Sequence, residues 1–226
     1  MKIMFLGTGA ADWPLQKPDD YTEFRRLSSA LIDDILLIDP GPQVLYALED
    51  LGKSPEKIKY IINTHSHRDH FSQETCSHLE SLGATFIPLS DGEVKRLGQY
   101  TVRAYKGNHA TCTDTVHFII SDDTRTLFYG LDGAWLLYDE VQAIKKYKPD
   151  LAVLDATIGS IYGDYRIFEH NNLNMVLEMK KSLENYVERF CISHMARTLH
   201  TDQKTLNEQM KNHNIITAYD GLEIEI

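Results

Sequence analysis

The chain has 226 residues, of which 42% are hydrophobic and 25% charged, proportions of a globular fold that exclude wholesale disorder and collagen-like or coiled-coil architectures. Lys and Arg number 23 against 33 Asp and Glu, a formal net charge of −10, which disfavours nucleic acid as a partner because that binding rests on phosphate neutralisation by cations. Cys76, Cys112 and Cys191 stand without CxxC spacing, which argues against a disulfide scaffold and against a thiolate metal site.

The first apolar run, Lys2–Leu6, ends at Gly7 and is too short for the core of a secretory signal. It reads as a strand, and the expected location is the cytoplasm. No run approaches the ~18 apolar residues of a membrane span, so no membrane partner is expected. Strand-type runs follow at Ala30–Ile32, Ile35–Ile38, Tyr60–Asn63, Ala84–Pro88, Tyr100–Tyr105, Val116–Ile120, Thr126–Tyr129, Leu151–Leu154, Phe190–Ser193 and Leu222–Ile226. Thr101–Tyr105 alternates as a half-buried strand does. Helical patterns lie between them at Gln43–Leu51, Gln73–Leu82, Leu136–Tyr147, Leu173–Tyr186 and Asp202–Asn212. Pro42 suits a first helical turn and Gly52 a helix end. No repeat or Gly/Pro/Ser-rich linker interrupts the chain, so a single domain over residues 1–226 is expected. Its class is α/β or α+β, with packed sheets and helices outside.

The densest chemical signal is Asn63-Thr64-His65-Ser66-His67-Arg68-Asp69-His70, directly after the apolar run Tyr60–Ile62. In extended chain, residues two apart point the same way, so His65 and His67 can converge on one ion. Asp69 and His70 come next, and Ser72 offers a helix cap, so the chain turns and aims this pair at a neighbouring position. A hydrolytic metal site needs further ligands from elsewhere and an open position for water. His109, Asp132 and His194 are the candidates, because each follows a strand-type run just as the motif does.

HxHxDH followed by a later His, a strand-end Asp and a final His resembles the pattern of the metallo-β-lactamase superfamily. Leu6-Gly7-Thr8-Gly9, Arg25-Arg26-Leu27-Ser28-Ser29, Leu37-Ile38-Asp39-Pro40-Gly41 and Glu169-His170-Asn171-Asn172 resemble its phosphodiesterase branch. That branch holds phosphoribosyl cyclic phosphate phosphodiesterases and tRNA 3′-end-processing ribonucleases. The resemblance implies a four-layer αββα sandwich and two divalent metal ions. His65, His67 and His109 would hold one ion, Asp69, His70 and His194 the other, and Asp132 would bridge both. Nitrogen and oxygen donors without thiolate suit zinc, manganese or iron, and the sequence does not choose among them. The implied reaction is cleavage of a phosphodiester by a hydroxide shared between the ions. Asp39 resembles a carboxylate that orients a ligand imidazole; a turn aspartate before Pro40-Gly41 is the alternative.

The catalytic candidates are Asp69, His170 and His200. His170 would be the acid for the departing alkoxide, since a free imidazole titrates near neutrality; a capping role is the alternative. His200 either faces the site or caps the following helix. Arg25, Arg26 and Arg197 are candidates for a substrate phosphate, whereas His78, His117 and His213 read as structural or solvent-facing. The segment Ala10–Pro18 lacks the cysteine-rich insertion of the cyclic phosphodiesterases, and no long basic arm for tRNA is present. Without that arm, and with an acidic balance, a small phosphate ester is expected ahead of tRNA; the resemblance implies one such as a phosphoribosyl 1,2-cyclic phosphate, and adds a homodimer. Lactone or ester hydrolysis, tRNA-type processing and a non-catalytic metal-binding role stand as alternatives.

Overall fold

The computed structural model describes residues 1–226. One sheet has the order β13-β1-β2-β3-β4-β5, built from β1 (Lys2–Gly7), β2 (Ser29–Ile32), β3 (Leu36–Ile38), β4 (Tyr60–Ile62), β5 (Thr85–Phe86) and β13 (Glu223–Glu225). The other has the order β12-β11-β10-β9-β8-β7-β6, from β6 (Val94–Leu97), β7 (Tyr100–Lys106), β8 (Val116–Ser121), β9 (Thr126–Gly130), β10 (Leu151–Asp155), β11 (Arg189–Ser193) and β12 (Ile215–Thr217). Strands β6 to β9 pair antiparallel and β9 to β12 parallel. The C-terminal ends of β7, β9, β10 and β11 consequently lie along one edge.

Alternation along the strands sorts the side chains into layers. In β1, Ile3 and Phe5 face a core shared with Val102, Phe118, Tyr129 and Val153 of the second sheet. Met4 and Leu6 face the opposite way, onto α1 (Val44–Asp50) and α2 (Gln73–Ser81). The outer face of the second sheet, with Phe128, Ala152, Leu154 and Ile192, is covered by α3 (Tyr138–Tyr147), α4 (Leu173–Leu183) and α5 (Gln203–Lys211). This is the αββα sandwich. Strands buried on both faces read as continuous apolar runs, which is why they were legible as such. None of the five helices is long and apolar enough to cross a membrane.

Several boundaries differ from the sequence pattern. β6 and β12 are absent from it: β6 is an exposed edge strand, Val-Lys-Arg-Leu, without apolar alternation, and β12 has three residues. Helix α1 starts at Val44, not over Pro42, because Gln43 is drawn into tertiary bonds: it accepts from Leu27 N at 2.7 Å and donates to Leu15 O at 2.7 Å. Side-chain caps come from Ser72, Asn172 and Asp202. Ser72 ends the motif loop as expected, accepting from Thr75 N at 3.3 Å.

Candidate metal centre

At the shared edge the two sheets are stitched by a hydrogen bond from Val116 N to Thr64 O (2.9 Å). The loop after β4 delivers His65, His67, Asp69 and His70 from one side. His109, beyond β7, Asp132, beyond β9, and His194, beyond β11, arrive from the other. These seven residues form two groups whose ligand atoms lie within 4.8 Å of one another: His65, His67, His109 and Asp132; and Asp69, His70, Asp132 and His194. Asp132 belongs to both, its Oδ2 lying 3.1 Å from His65 Nε2 and 2.8 Å from His70 Nε2. Asp39, Asp132 and His194 all adopt left-handed backbone (φ 60°, 56° and 62°), a strained state for non-glycine residues that collects at functional sites.

Asp39 sets the orientation of two imidazoles. Its Oδ2 accepts from His70 Nδ1–H at 2.8 Å, which directs Nε2 at Asp132. Its Oδ1 accepts from Thr64 N at 2.7 Å and Thr64 Oγ1 at 2.9 Å. That leaves Thr64 Oγ1 free to accept from His65 Nδ1–H (3.0 Å), so that His65 Nε2 presents a lone pair. Such partners fix a ligand's tautomer and raise its basicity.

The donor set fits divalent cations. His65 Nε2 and Asp132 Oδ1 are buried polar atoms without a hydrogen-bond partner, a costly arrangement for a protein interior. His67 Nδ1 and His109 Nε2 face each other at 3.2 Å. In the metal-free protein, protons substitute in part. Burial opposes charge on His70, but Asp132, Asp69 and Asp39 raise its pKa well above the ordinary histidine value. His194 is pushed up to about 9, with burial opposed by Asp132 and Asp155. His109, with burial dominant, falls to about 4. A cation entering here displaces the protons held on its ligands.

His170 stands inside the ring of donors. Its Nδ1 is 3.2 Å from Asp132 Oδ1 and 3.3 Å from Asp155 Oδ2, and its pKa rises to about 11, burial being outweighed by Asp155 and Asp132. Asp155 and Thr157 were not singled out from the sequence. Asp155 ends the run Leu151–Leu154 just as Asp132 follows β9, and that signal was there to read. Thr157 Oγ1 donates to Asp155 Oδ2 (2.8 Å) and lies 2.7 Å from His194 Nδ1.

The structure leaves His200 outside the cluster. Its Nε2–H donates to the Ala156 carbonyl, and burial pushes its pKa down to about 4. It lines a separate hollow with Trp13, Arg25 and Arg197. The arginines are also differently employed. Arg25 is buried, donating to Thr8 Oγ1 (2.8 Å) and Ala218 O (3.2 Å). Arg26 pairs with Asp50 and Asp220, and Arg197 Nε donates to Asp12 O (3.2 Å). The cation lining the metal-centre cavity, which encloses about 250 Å³ and also includes His67, His109 and Glu169, is Arg166. The sequence gives no motif for it. Asp164 holds Arg166 through two bonds of 2.8 and 2.6 Å. His78 and His213 are exposed, whereas His117 is buried and paired with Glu140.

The family model for the metallo-beta-lactamase superfamily matches residues 28–73, the segment from β2 through the motif loop. No curated protein matches the sequence. Among solved structures, Zn(2+)-bound PqqB from Methylobacterium extorquens superposes with a TM-score of 0.76 at 14% identity, covering 100% of both chains. A diphosphatase from the PhnP family gives 0.73 at 17% identity, covering 100% of this chain and 97% of that one. The short form of human tRNase Z gives 0.71 at 17% identity, covering 100% and 99%. The superfamily model thus falls on the segment bearing His65–His70, and the chain shares the fold of these structures over its whole length.

Proposed function

We propose that the protein is a metal-dependent hydrolase that uses two divalent ions to cleave a small phosphodiester, a cyclic sugar phosphate such as a phosphoribosyl 1,2-cyclic phosphate being the leading candidate. The observation that carries this reading is the pair of donor groups sharing Asp132, with His170 and Arg166 on the same cavity. His65, His67 and His109 would hold one ion, Asp69, His70 and His194 the other. The ions would supply Lewis acidity, acidifying water and neutralising charge on the entering and leaving oxygens of an in-line displacement.

The remaining work falls to the protein's own groups. Asp39 and Thr64 keep His70 and His65 in the tautomers that present Nε2. Asp132 places one carboxylate oxygen toward His65 and His70 and the other toward His194 and His170. His170, kept protonated beside Asp155 and Asp132, is placed to give a proton to the departing alkoxide. Arg166, steadied by Asp164, offers guanidinium N–H groups to the phosphoryl oxygens. The absence of thiolate suits zinc, manganese or iron, and the zinc in the PqqB relative favours zinc. Attack at phosphorus is supported by the PhnP-family diphosphatase, and phosphodiester chemistry by tRNase Z, among the similar structures. A cavity of about 250 Å³ and the charge of −10 favour a small substrate over tRNA.

The test is hydrolysis of bis-(p-nitrophenyl) phosphate, a five-carbon cyclic phosphate and a lactone by chelator-stripped protein reloaded with zinc or manganese. Metal-dependent turnover of the phosphodiesters is expected. Turnover of the lactone alone would move the protein to the carboxylic ester class.

A further inference from the structure

His117 takes no part in the chemistry above, yet its ring lies buried (1% exposed) against the loops that carry His109 and Asp132. From β8, its Nδ1–H donates to Glu140 Oε1 at 2.5 Å and its Nε2–H to the Leu131 carbonyl at 2.9 Å. Both ring nitrogens donate, so the ring is an imidazolium. Burial opposes that charge, but Glu140 and the backbone of Leu131 and Asp132 outweigh it and raise the pKa. Glu140 is fixed in turn, its Oε2 accepting from Leu137 N at 2.7 Å at the start of α3.

Three glycines lie against this ring, and two of them make room for it. A Cβ on Gly107 would come within 2.9 Å of His117 Nε2, one on Gly130 within 3.2 Å of Nδ1, and one on Gly133 within 2.7 Å of Cε1. None of the three has left-handed backbone, so it is the closeness of the imidazole that calls for glycine at Gly107 and Gly133, whereas at Gly130 the Phe128 ring, 2.6 Å from such a Cβ, is the nearer neighbour. Gly107 leads into His109, and Gly130 and Gly133 bracket Asp132. Asn108 and Ala134 tie the same two loops together, with N–H···O bonds of 3.0 and 2.6 Å.

We propose that His117 is a positioning residue for the metal centre. Anchored by Glu140, it holds the Leu131 carbonyl and packs the two loops so that His109 and Asp132 present their donors to one ion. The proposal rests on the metal-centre reading and concerns metal affinity rather than the reaction catalysed.

The experiment measures zinc affinity by chelator competition and the visible spectrum of the cobalt(II) form, alongside unfolding of the metal-free protein. His117→Phe combined with Glu140→Gln fills the space while removing both charges together, so that no bare carboxylate is left buried. Zinc affinity should fall by about tenfold to a hundredfold, as when other supports of ligand residues are removed, and the cobalt spectrum should change. Glu140→Gln alone leaves a partner for Leu137 N–H and for His117 Nδ1, and should bind zinc with nearly wild-type affinity. Val153→Ala, a cavity in the inter-sheet core, controls for lost stability and should also keep its affinity. Unchanged affinity in the double variant, or an equal loss in either control, would overturn the proposal. A wild-type protein that binds neither zinc nor cobalt would overturn the metal-centre reading and this proposal with it.

Discussion

Replacing Asp39 separates what a buried carboxylate does for the fold from what it does for the site. The side chain is 0% exposed and accepts three hydrogen bonds: Thr64 N at 2.7 Å, Thr64 Oγ1 at 2.9 Å and His70 Nδ1 at 2.8 Å. In Asp39→Ala the His65 proton can shift to Nε2 so that the Thr64 hydroxyl donates to Nδ1, 3.0 Å away, which leaves two buried donors, Thr64 N and His70 Nδ1, without acceptors. At about 1–3 kcal/mol for each, the loss is about 2–6 kcal/mol. Each kcal/mol lowers the midpoint of a chain this long by about 2–4 °C, so metal-free Asp39→Ala should melt roughly 10 °C below wild type. Asp39→Asn is the more incisive change. Its carbonyl oxygen still serves Thr64, but its amide N–H₂ faces His70 Nδ1 and favours the tautomer with hydrogen on Nε2, the atom aimed at Asp132. Thermal stability should stay close to wild type while zinc affinity falls by about tenfold to a hundredfold. The assays are circular-dichroism melting in a chelator and competition for zinc with a chromophoric chelator. Wild-type zinc affinity in Asp39→Asn, or a midpoint unmoved in Asp39→Ala, would refute the reasoning.

Asp132→Ala should lose most bound metal, measured by elemental analysis after gel filtration, and all turnover, because one carboxylate serves both donor groups; full metal content would sink the bridging role. His170→Ala should keep its metal but slow hydrolysis by about 10²–10⁴-fold, most for substrates with poor leaving groups, and metal loss instead would make it a ligand. His200 supplies a pH test. Burial depresses its pKa to about 4, so the folded state binds fewer protons than the unfolded one, and its contribution is intact above about pH 6.5 and lost as pH falls toward 4. The slope is at most about 1.4 kcal/mol per pH unit. His200→Gln should therefore lose about 2 kcal/mol less than wild type between pH 6.5 and 4.5 in urea unfolding, and parallel curves would refute it.

What was legible in the sequence was whatever a strand carries locally. Apolar runs ending in His or Asp marked His109, Asp132 and His194, and the spacing of His65, His67, Asp69 and His70 is itself local. Asp155 had the same strand-end signature after Leu154, but no motif surrounds it. Its role depends on β10 lying beside β11, so that Asp155 pairs with Ser193 in register next to His194. Arg25 and Arg26 could not be sorted in advance because their employment is set by distant partners, Arg25 by Thr8 and Ala218 and Arg26 by Asp220; Arg166 pairs locally with Asp164, and only the fold shows which cavity it lines. His200 depended on where the Ala156 carbonyl came to lie. β6 escaped because an exposed edge strand has little to alternate.

The division of the ligands between the two sheets has a mechanical consequence. Four of the seven arise from the loop after β4 and three from the ends of strands in the opposite sheet, so an ion held there would act as a rivet across the mouth of the sandwich. Whatever held the ions would also clamp the sheets, and a site filled at about a thousand times its Kd would add about 4 kcal/mol against unfolding. Stripping the metal would thus release the same edge from which substrate is approached, making the reactive rim of the empty protein its most readily opened seam.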